Sequence, residues 1–260
     1  MIEFDFVKPA SVADAVKALA ADGAQALSGG QTLTAVLEQR LAAPSVLVSL
    51  NGIAEMRGVK MAGGVVTIGG ATTHAVVAKE AAAYPALAKL AGRIGDPAVR
   101  NRGTIGGSLA NNDPAACYPA AALASGAVIV TNKRSIKADD YFKGMFTTAL
   151  AEGEIITSVS FPVPQKAAYV KFDQPASRFA LTAVFVAKFA EGVRVAVTGA
   201  SNNGVFRWKE AEAALTANFS AAAIAGLKVS DRDMISDLHG TAAYRANLVK
   251  VLCGRAVSAA

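Results

Sequence analysis

The segment 93–119 reads RIGDPAVRNRGTIGGSLANNDPAACYP, and it decides how the rest of the chain is interpreted. At its centre two adjacent glycines, Gly106 and Gly107, stand beside the small hydroxyl residues Thr104 and Ser108. Because glycine has no Cβ, such a turn lets several backbone N–H groups approach one anion. The pattern therefore predicts a loop, called here the second loop (104–108), that binds a phosphate or pyrophosphate.

Charged and polar residues flank the second loop on both sides. Arg100 and Arg102 precede it, and guanidinium groups suit bidentate contacts with oxyanions. An Asn-Asn-Asp-Pro sequence beginning at Asn111 follows, which predicts a turn and then a helix that begins near Pro114. Asn111 and Asp113 are therefore candidates for binding a ribose.

A similar element, called here the first loop (28–33), lies near the N terminus and reads SGGQTL. A lone Gly-Gly pair is most often an ordinary turn, but two such loops together favour a bound dinucleotide. We expect the two loops to converge so that backbone amides of both hold one diphosphate. The first-loop residues predicted to bind it are Ser28, Gly29, Gly30, Gln31, Thr32 and Leu33.

The sequences SGGQTL at 28–33 and DPAVRNRGTIGGSLANNDPAA at 96–116 resemble the signature of the FAD-binding medium subunit of molybdenum hydroxylases. That family includes aerobic carbon monoxide dehydrogenase and xanthine dehydrogenase-like enzymes. The similarity extends to 146–162 and 244–257, so it covers almost the whole chain. The motif around the second loop is long and specific, whereas the first loop alone is a weak signal.

The resemblance and the apolar patterns together predict an α/β (α+β) protein. A PCMH-type FAD-binding domain of the vanillyl-alcohol-oxidase type is expected over 1–165, with subdomains of about 1–55 and 56–165. The Pro162-Val163-Pro164 sequence is the predicted linker, because proline interrupts both helices and sheet ladders. A three-stranded antiparallel sheet with a helical bundle is expected over 166–260.

Apolar periodicity locates the individual elements. Predicted strands are Ala24–Leu27, 46–50, 59–61, 65–68, Ala127–Thr131, Ser135–Lys137, Glu154–Phe161, Ala168–Gln174, Leu181–Phe189 and Val193–Gly199. Predicted helices are one from Val12 that ends at Gly23 with Ser11 as N-cap, 33–41, one beginning near Thr73, Pro85–Ala91, Ala120–Ala124, Trp208–Ala217, Ser220–Gly226 and 244–255.

Composition excludes several classes of protein. Hydrophobic residues make up 53% of the chain and charged residues 18%, which is typical of a globular protein. No apolar run predicts a transmembrane span or a signal peptide. The net charge of +6 is scattered, so nucleic-acid binding is not expected. Only two cysteines are present, which excludes an iron–sulfur cluster or zinc site built by this chain alone.

The remaining candidate residues come from the resemblance. Thr72 and His74 fall at a flavin-facing junction in the family, although a histidine on the surface or at a helix N terminus is the alternative for His74. Ile94 and Ile156 are expected to cover the flavin or to fill the core. Tyr169 and Lys171 fall near the isoalloxazine, where a lysine can stabilise negative charge on the reduced flavin; an exposed strand pair is the alternative.

Three residues depart from the family pattern. Ser108 stands where many members have Asn, and Cys117 where they have Asp, so a carboxylate contact to the ribose is missing there. Arg178 lies in a stretch where an acidic residue is common. These departures leave the adenosine contacts open but not the FAD assignment.

The resemblance implies a function without catalytic side chains or a metal site in this chain. Non-covalently bound FAD would take electrons from a [2Fe–2S] small subunit, which serves a molybdopterin-containing large subunit, in a dimer of heterotrimers. The external acceptor would be NAD, a quinone or oxygen. A cytoplasmic location is expected, with peripheral attachment to the inner membrane face through partners as an alternative.

Two other functions remain open from the sequence. A stand-alone FAD oxidoreductase of the same fold would need a proton donor and a substrate pocket within this chain. A non-catalytic flavin-binding assembly module would bind the partner subunits without transferring electrons.

Overall fold

The computed structural model describes residues 1–260. Its strands are β1 Asp5–Val7, β2 Ala24–Leu27, β3 Val46–Ser49, β4 Val59–Ala62, β5 Val65–Gly69, β6 Val128–Thr131, β7 Ser135–Lys137, β8 Phe142–Gly144, β9 Thr147–Thr148, β10 Ile156–Pro162, β11 Lys166–Asp173, β12 Ala180–Phe189, β13 Gly192–Thr198 and β14 Phe206–Arg207. Its helices are α1 Val12–Leu19, α2 Leu33–Glu38, α3 His74–Glu80, α4 Pro85–Gly92, α5 Pro97–Arg102, α6 Ile105–Asn111, α7 Tyr118–Ser125, α8 Ala138–Tyr141, α9 Lys209–Ala217 and α10 Ala242–Ala259.

The N-terminal part is a small parallel sheet in the order β1-β3-β2. Helix α1 begins at the predicted N-cap, since the Ser11 hydroxyl accepts a hydrogen bond from the Asp14 backbone N–H at 3.1 Å. Ala15 on α1 packs with Val48 on β3 in a separate hydrophobic cluster. Strand β2 runs directly into the first loop, and α2 follows it. The sheet thus fixes the start of the first loop.

The second sheet is antiparallel, with the order β4-β5-β10-β6-β7. Its core side chains include Ile68 of β5 and Val159 of β10, which lie opposite each other in the ladder. Helices α3, α4, α6 and α7 contribute to the same core. The Tyr84 and Ser125 hydroxyls are hydrogen-bonded at 2.9 Å, which satisfies two polar groups inside it.

The third sheet has the order β11-β12-β13-β14, so it has four strands and not the predicted three. The fourth strand, β14, is two residues long and pairs with β13. Such a short edge strand gives almost no alternating pattern in the sequence, which explains why it was missed. Another difference concerns 220–226, where a 3₁₀ turn at Ala221–Ile224 replaces the predicted helix.

The C-terminal sheet has a different core on each face. Side chains of one face pack with α9 and α10 around Trp208 and Leu252. Those of the other face, including Tyr169 and Phe185, join the core of the second sheet, where the Phe185 ring centre lies 6.1 Å from that of Tyr84. Packing is therefore continuous across the predicted linker, and the division at residue 165 stays a prediction.

The chain around the second loop folds differently from the sequence prediction. Helix α5 precedes the loop and was not predicted, although Asp96 as N-cap and Pro97 at the first helical position are standard signals. Helix α6 begins within the loop, where the Thr104 hydroxyl accepts a hydrogen bond from the Gly107 N–H. The predicted helix start near Pro114 is wrong, because the next helix begins only at Tyr118.

Helix α6 ends at Asn112, whose backbone is left-handed with φ 45°. Its amide side chain donates hydrogen bonds to the carbonyls of Gly144 and Thr147 at 2.8 and 2.9 Å. These bonds attach the small β8–β9 hairpin to the end of the helix that begins in the second loop.

None of the ten helices combines the length and apolar character that crossing a bilayer requires.

Candidate functional site

The first and second loops lie against each other, as the sequence predicted. The Ser28 and Thr104 hydroxyl oxygens are 2.8 Å apart and hydrogen-bonded. A Cβ atom on Gly29 would lie 2.4 Å from the Arg102 carbonyl oxygen and 2.6 Å from Gly103 Cα, so only glycine allows this approach. The two motifs, far apart in sequence, therefore form one surface.

The first loop offers free backbone donors. The N–H groups of residues 28–32 donate no hydrogen bond to any acceptor in the chain. The carbonyls of the loop are held instead: Ser28 O accepts from Asn51 Nδ2 at 2.9 Å, and Gly29 O accepts from Gln31 Nε2 at 3.1 Å. Gly30 has φ 71°, a left-handed conformation that favours glycine. Consecutive unpaired N–H groups of this kind suit an anion.

The amides of residues 105–108 in the second loop are already paired within the protein. The Ile105 N–H donates to Thr72 O at 3.2 Å, and the Gly106 N–H donates to Gly70 O at 2.9 Å. The N–H groups of Gly107 and Ser108 both donate to Thr104, at its hydroxyl and its carbonyl respectively. Only the Thr104 N–H of the second loop has no acceptor in the chain, so the expectation that both loops supply free amides is wrong for residues 105–108, and this loop mainly supports the first one.

A cavity of about 590 Å³ opens beside the two loops. This volume is in the range of small-molecule and cofactor sites. The predicted residues that line it are Ser28, Gly29, Gly30, Gln31, Thr32, Leu33, His74, Ile94, Thr104, Gly106, Gly107, Ser108, Asn111, Asp113 and Ile156. Four predicted residues are not part of the lining, namely Thr72, Arg102, Tyr169 and Lys171.

Thr72 and the two arginines have positions that sequence reasoning did not anticipate. Thr72 is buried, and its hydroxyl is hydrogen-bonded to the backbone of Gly58. Arg100 donates to the carbonyls of Ile94 and Gly95 at 3.1 and 2.9 Å, so it holds a loop of its own chain. Arg102 is exposed. The Arg100 guanidinium is therefore engaged within the chain, and the oxyanion contact from Arg102 stays a prediction.

His74 is buried, so the surface form of the alternative is wrong, whereas its position at the N terminus of a helix agrees with the other form. It is the first residue of α3, is only 4% exposed, and its Nδ1 has no hydrogen-bond partner. Burial, with a smaller contribution from the positive charge of Arg100, lowers the pKa of His74 to about 4. The neutral imidazole fits beside Gly103, where a Cβ would lie 2.6 Å from His74 Nε2.

Tyr169 and Lys171 are buried behind the cavity wall, so the alternative of an exposed strand pair is also wrong. The Tyr169 ring packs on Phe185 at 6.1 Å between centres, and burial holds the pKa of its hydroxyl well above the usual value. The Lys171 ammonium is surrounded by acceptors of its own chain. The structure thus gives no free lysine charge pointing into the cavity.

The other predicted residues belong to the cavity walls. Ile94 is half-buried and Ile156 is almost fully buried, and both present apolar surface to the cavity. The Asp113 carboxylate accepts a hydrogen bond from the Ala115 N–H at 2.8 Å and keeps its second oxygen free of partners in the chain. Cys117 lines the cavity too, and burial raises the pKa of its thiol.

Several lining residues were missed in the sequence. The residues Ser177, Arg178 and Phe179 reach the cavity from the turn between β11 and β12, so the C-terminal part forms one wall. The two predicted strands imply a turn between them, but nothing in the sequence indicates that this turn lies at the cavity.

Glu154 also lines the cavity and was missed. Two hydrogen bonds from Arg134, at 3.0 Å each, and one from Thr131 at 2.6 Å lower the pKa of Glu154 to about 2. Its carboxylate is thus ionised and fully engaged in holding β6 to the segment before β10. No group of three His, Cys, Asp or Glu side chains lies together as a metal ion would require.

Comparison with known proteins gives consistent matches over this architecture. The family described as the FAD binding domain in molybdopterin dehydrogenase matches residues 2–164. The nicotine 6-hydroxylase medium subunit of Paenarthrobacter nicotinovorans is 35% identical over 272 residues, which cover 97% of this chain and 95% of the relative. The carbon monoxide dehydrogenase medium chain of Afipia carboxidovorans is 31% identical, covering 99% and 96% respectively.

Solved structures show the same similarity. A chain of the Cu,Mo-CO dehydrogenase, in its cyanide-inactivated form, superposes with a TM-score of 0.88 at 30% identity and covers 99% of this chain and 98% of its own. A chain of quinoline 2-oxidoreductase from Pseudomonas putida 86 superposes with a TM-score of 0.87 at 28% identity, covering 99% and 96%.

Proposed function

This chain belongs to the family of FAD-binding domains of molybdopterin dehydrogenases, and we propose that it is the subunit that carries electrons through FAD in a multi-subunit molybdenum hydroxylase. FAD is its cofactor, and the chain is a subunit of an oxidoreductase. The observation that best supports the proposal is the convergence of the two loops beside one cavity, with unpaired amides on the first loop.

The residues present fit FAD. We assign the pyrophosphate to the free N–H groups of residues 28–32, because consecutive amide donors stabilise a dianion without side-chain charge. The glycines at the contact between the loops keep the surface open to the close approach of such a group. The apolar side chains of Ile94 and Ile156 suit the isoalloxazine ring, and Asn111 and Asp113 suit the adenosine part. Binding without a covalent bond is part of this proposal.

Bound FAD supplies the ability to accept electrons one at a time and to release two together. The protein itself binds and orients the cofactor. His74 stays neutral at pH 7 and offers a ring nitrogen without placing positive charge in the cavity. The turn that contains Arg178 and Phe179 closes the cavity from the C-terminal side and limits the entry of water.

The partners proposed here are a [2Fe–2S] small subunit and a molybdopterin-containing large subunit, in a dimer of heterotrimers. Support comes from relatives that are themselves medium subunits, such as those of nicotine 6-hydroxylase and carbon monoxide dehydrogenase. The substrate would be hydroxylated on the large subunit, and the flavin would pass electrons to NAD, a quinone or oxygen. A cytoplasmic location is also proposed, since both cysteines are buried free thiols.

The experiment that tests this proposal is reduction of the flavin by its partner. The FAD-loaded chain is mixed anaerobically with the proposed small subunit, whose clusters have been reduced chemically and freed of excess reductant. Bleaching of the oxidised-flavin absorption band in proportion to the reduced clusters is expected. A flavin that stays oxidised while the subunits bind each other would favour the assembly module, and one reduced by NADPH with the chain alone would favour the stand-alone enzyme.

A further inference from the structure

A buried lysine joins two walls of the cavity from behind. The Lys171 side chain on β11 has no exposed surface. Its Nζ donates to Arg93 O at 2.7 Å and to Arg178 O at 2.8 Å, and it lies 2.8 Å from Asp173 Oδ1. An ammonium group has three N–H donors, so all of them are used inside the protein.

The two carbonyls belong to different walls. Arg93 follows α4 and directly precedes Ile94, which lines the cavity from the FAD-binding part. Arg178 lies in the turn between β11 and β12 and lines the cavity from the C-terminal part. Lys171 therefore connects the segment that carries Ile94 with the turn that closes the opposite side.

The turn held by Lys171 is conformationally unfavourable. Arg178 has φ 60°, in the left-handed region that costs free energy for residues other than glycine. Its N–H donates to Gln174 O at 2.8 Å, and its carbonyl accepts from Lys171. A charged donor that is shielded from water offsets such strain more effectively than a neutral one.

We propose that Lys171 is a positioning residue that ties these two walls together and thereby keeps FAD enclosed. The inference rests on the proposed place of the flavin between the walls. It differs from a direct electrostatic role, because the ammonium has no donor left for a ligand.

The test compares Lys171→Met with Arg194→Met in the full-length chain. Arg194 is a matched control, since it also ties two elements by donating to a carbonyl, that of Leu123 at 2.7 and 3.1 Å. Leu123 does not line the cavity, whereas Arg178, whose carbonyl Lys171 holds, does. Three quantities are measured: the dissociation constant of FAD, the rate of tryptic cleavage after Arg178, and quenching of the bound flavin by iodide.

Lys171→Met is expected to raise the dissociation constant and the cleavage rate about tenfold each, which corresponds to the loss of one or two charge-assisted hydrogen bonds. Iodide quenching is expected to increase with them. Arg194→Met is expected to lower the melting temperature without these three changes. The proposal is overturned if Lys171→Met leaves FAD binding and cleavage after Arg178 unchanged, or if both variants change them equally.

Lys171→Gln provides a second measurement if the Met variant does not fold. The Gln side chain keeps two of the three N–H donors but not the charge. Increases in the FAD dissociation constant and in the cleavage rate after Arg178 that are smaller than tenfold, but above wild type, support the inference. Wild-type values in this variant contradict it. Failure of the proposed electron transfer would be seen separately: the wild-type protein would bind FAD normally, but the bound FAD would not be reduced by the partner's clusters.

Discussion

The first and second loops carry the same kind of sequence, two glycines beside hydroxyl residues, but they have different roles. Every N–H group of residues 28–32 is without an acceptor in the chain, whereas those of residues 105–108 are all paired with carbonyl or hydroxyl oxygens of the chain. One loop is a donor surface for a ligand, and the other is the support on which it lies. A glycine pair alone therefore does not indicate which role a loop has.

The largest effect is expected from adding a side chain at Gly106 in the second loop, which supports the first loop. A Cβ on Gly106 would lie 2.6 Å from the Gly70 carbonyl oxygen, and neither backbone can move far. We expect Gly106→Ala to lower the free energy of unfolding of the FAD-free chain by about 3 kcal/mol. Urea denaturation measures this. Gly92→Ala is the control, since its nearest neighbour would be at an ordinary 3.8 Å; an equally small effect for both would contradict the support role.

The burial of His74 beside the second loop should make the stability of the protein sensitive to acid. Its folded-state pKa of about 4 lies below the usual 6.5, so between these values the unfolded chain binds a proton that the folded chain does not. Stability should therefore fall as pH decreases from about 6.5 towards 4, by about 2–3 kcal/mol in total.

The measurement is urea unfolding as a function of pH in wild type and His74→Gln. The variant is expected to show a flatter dependence in this range. His239→Gln removes an exposed imidazole and serves as the control. A wild-type slope in His74→Gln would show that the acid sensitivity has another source.

The contact between the loops can be weakened at Thr104. Thr104→Val removes the hydroxyl that accepts from the Gly107 N–H and bonds Ser28, so a loss of about 1–2 kcal/mol in unfolding free energy is expected. FAD affinity should fall as well, because the first loop loses its neighbour. Thr104→Ser keeps the hydroxyl and should behave like wild type; titration of the apoprotein with FAD distinguishes the two.

The smallest effect is expected at the first-loop side chains. If backbone amides bind the ligand, Gln31→Ala and Thr32→Ala should change the FAD dissociation constant by no more than about twofold, less than 0.5 kcal/mol. Fluorescence titration of FAD provides the value. A tenfold loss in either variant would mean that side chains, and not amides, are the main donors.

Much of this arrangement could be predicted from the sequence. The two glycine motifs predicted the convergence of the loops, and Asp96-Pro97 carried a readable signal for α5. The division of roles could not be predicted, because it depends on the carbonyls of Gly70 and Thr72, which come from another segment. The position of Lys171 behind the wall also depends on three-dimensional packing, since strand periodicity shows which face a residue is on but not what covers it.

The paired amides of the second loop have a consequence for biosynthesis. A segment in which the N–H groups of four consecutive residues, 105–108, are all paired within the polypeptide needs no cofactor to acquire its shape. The newly made subunit can thus be expected to reach its final conformation at this site first and to receive the dinucleotide afterwards, as a late step of maturation.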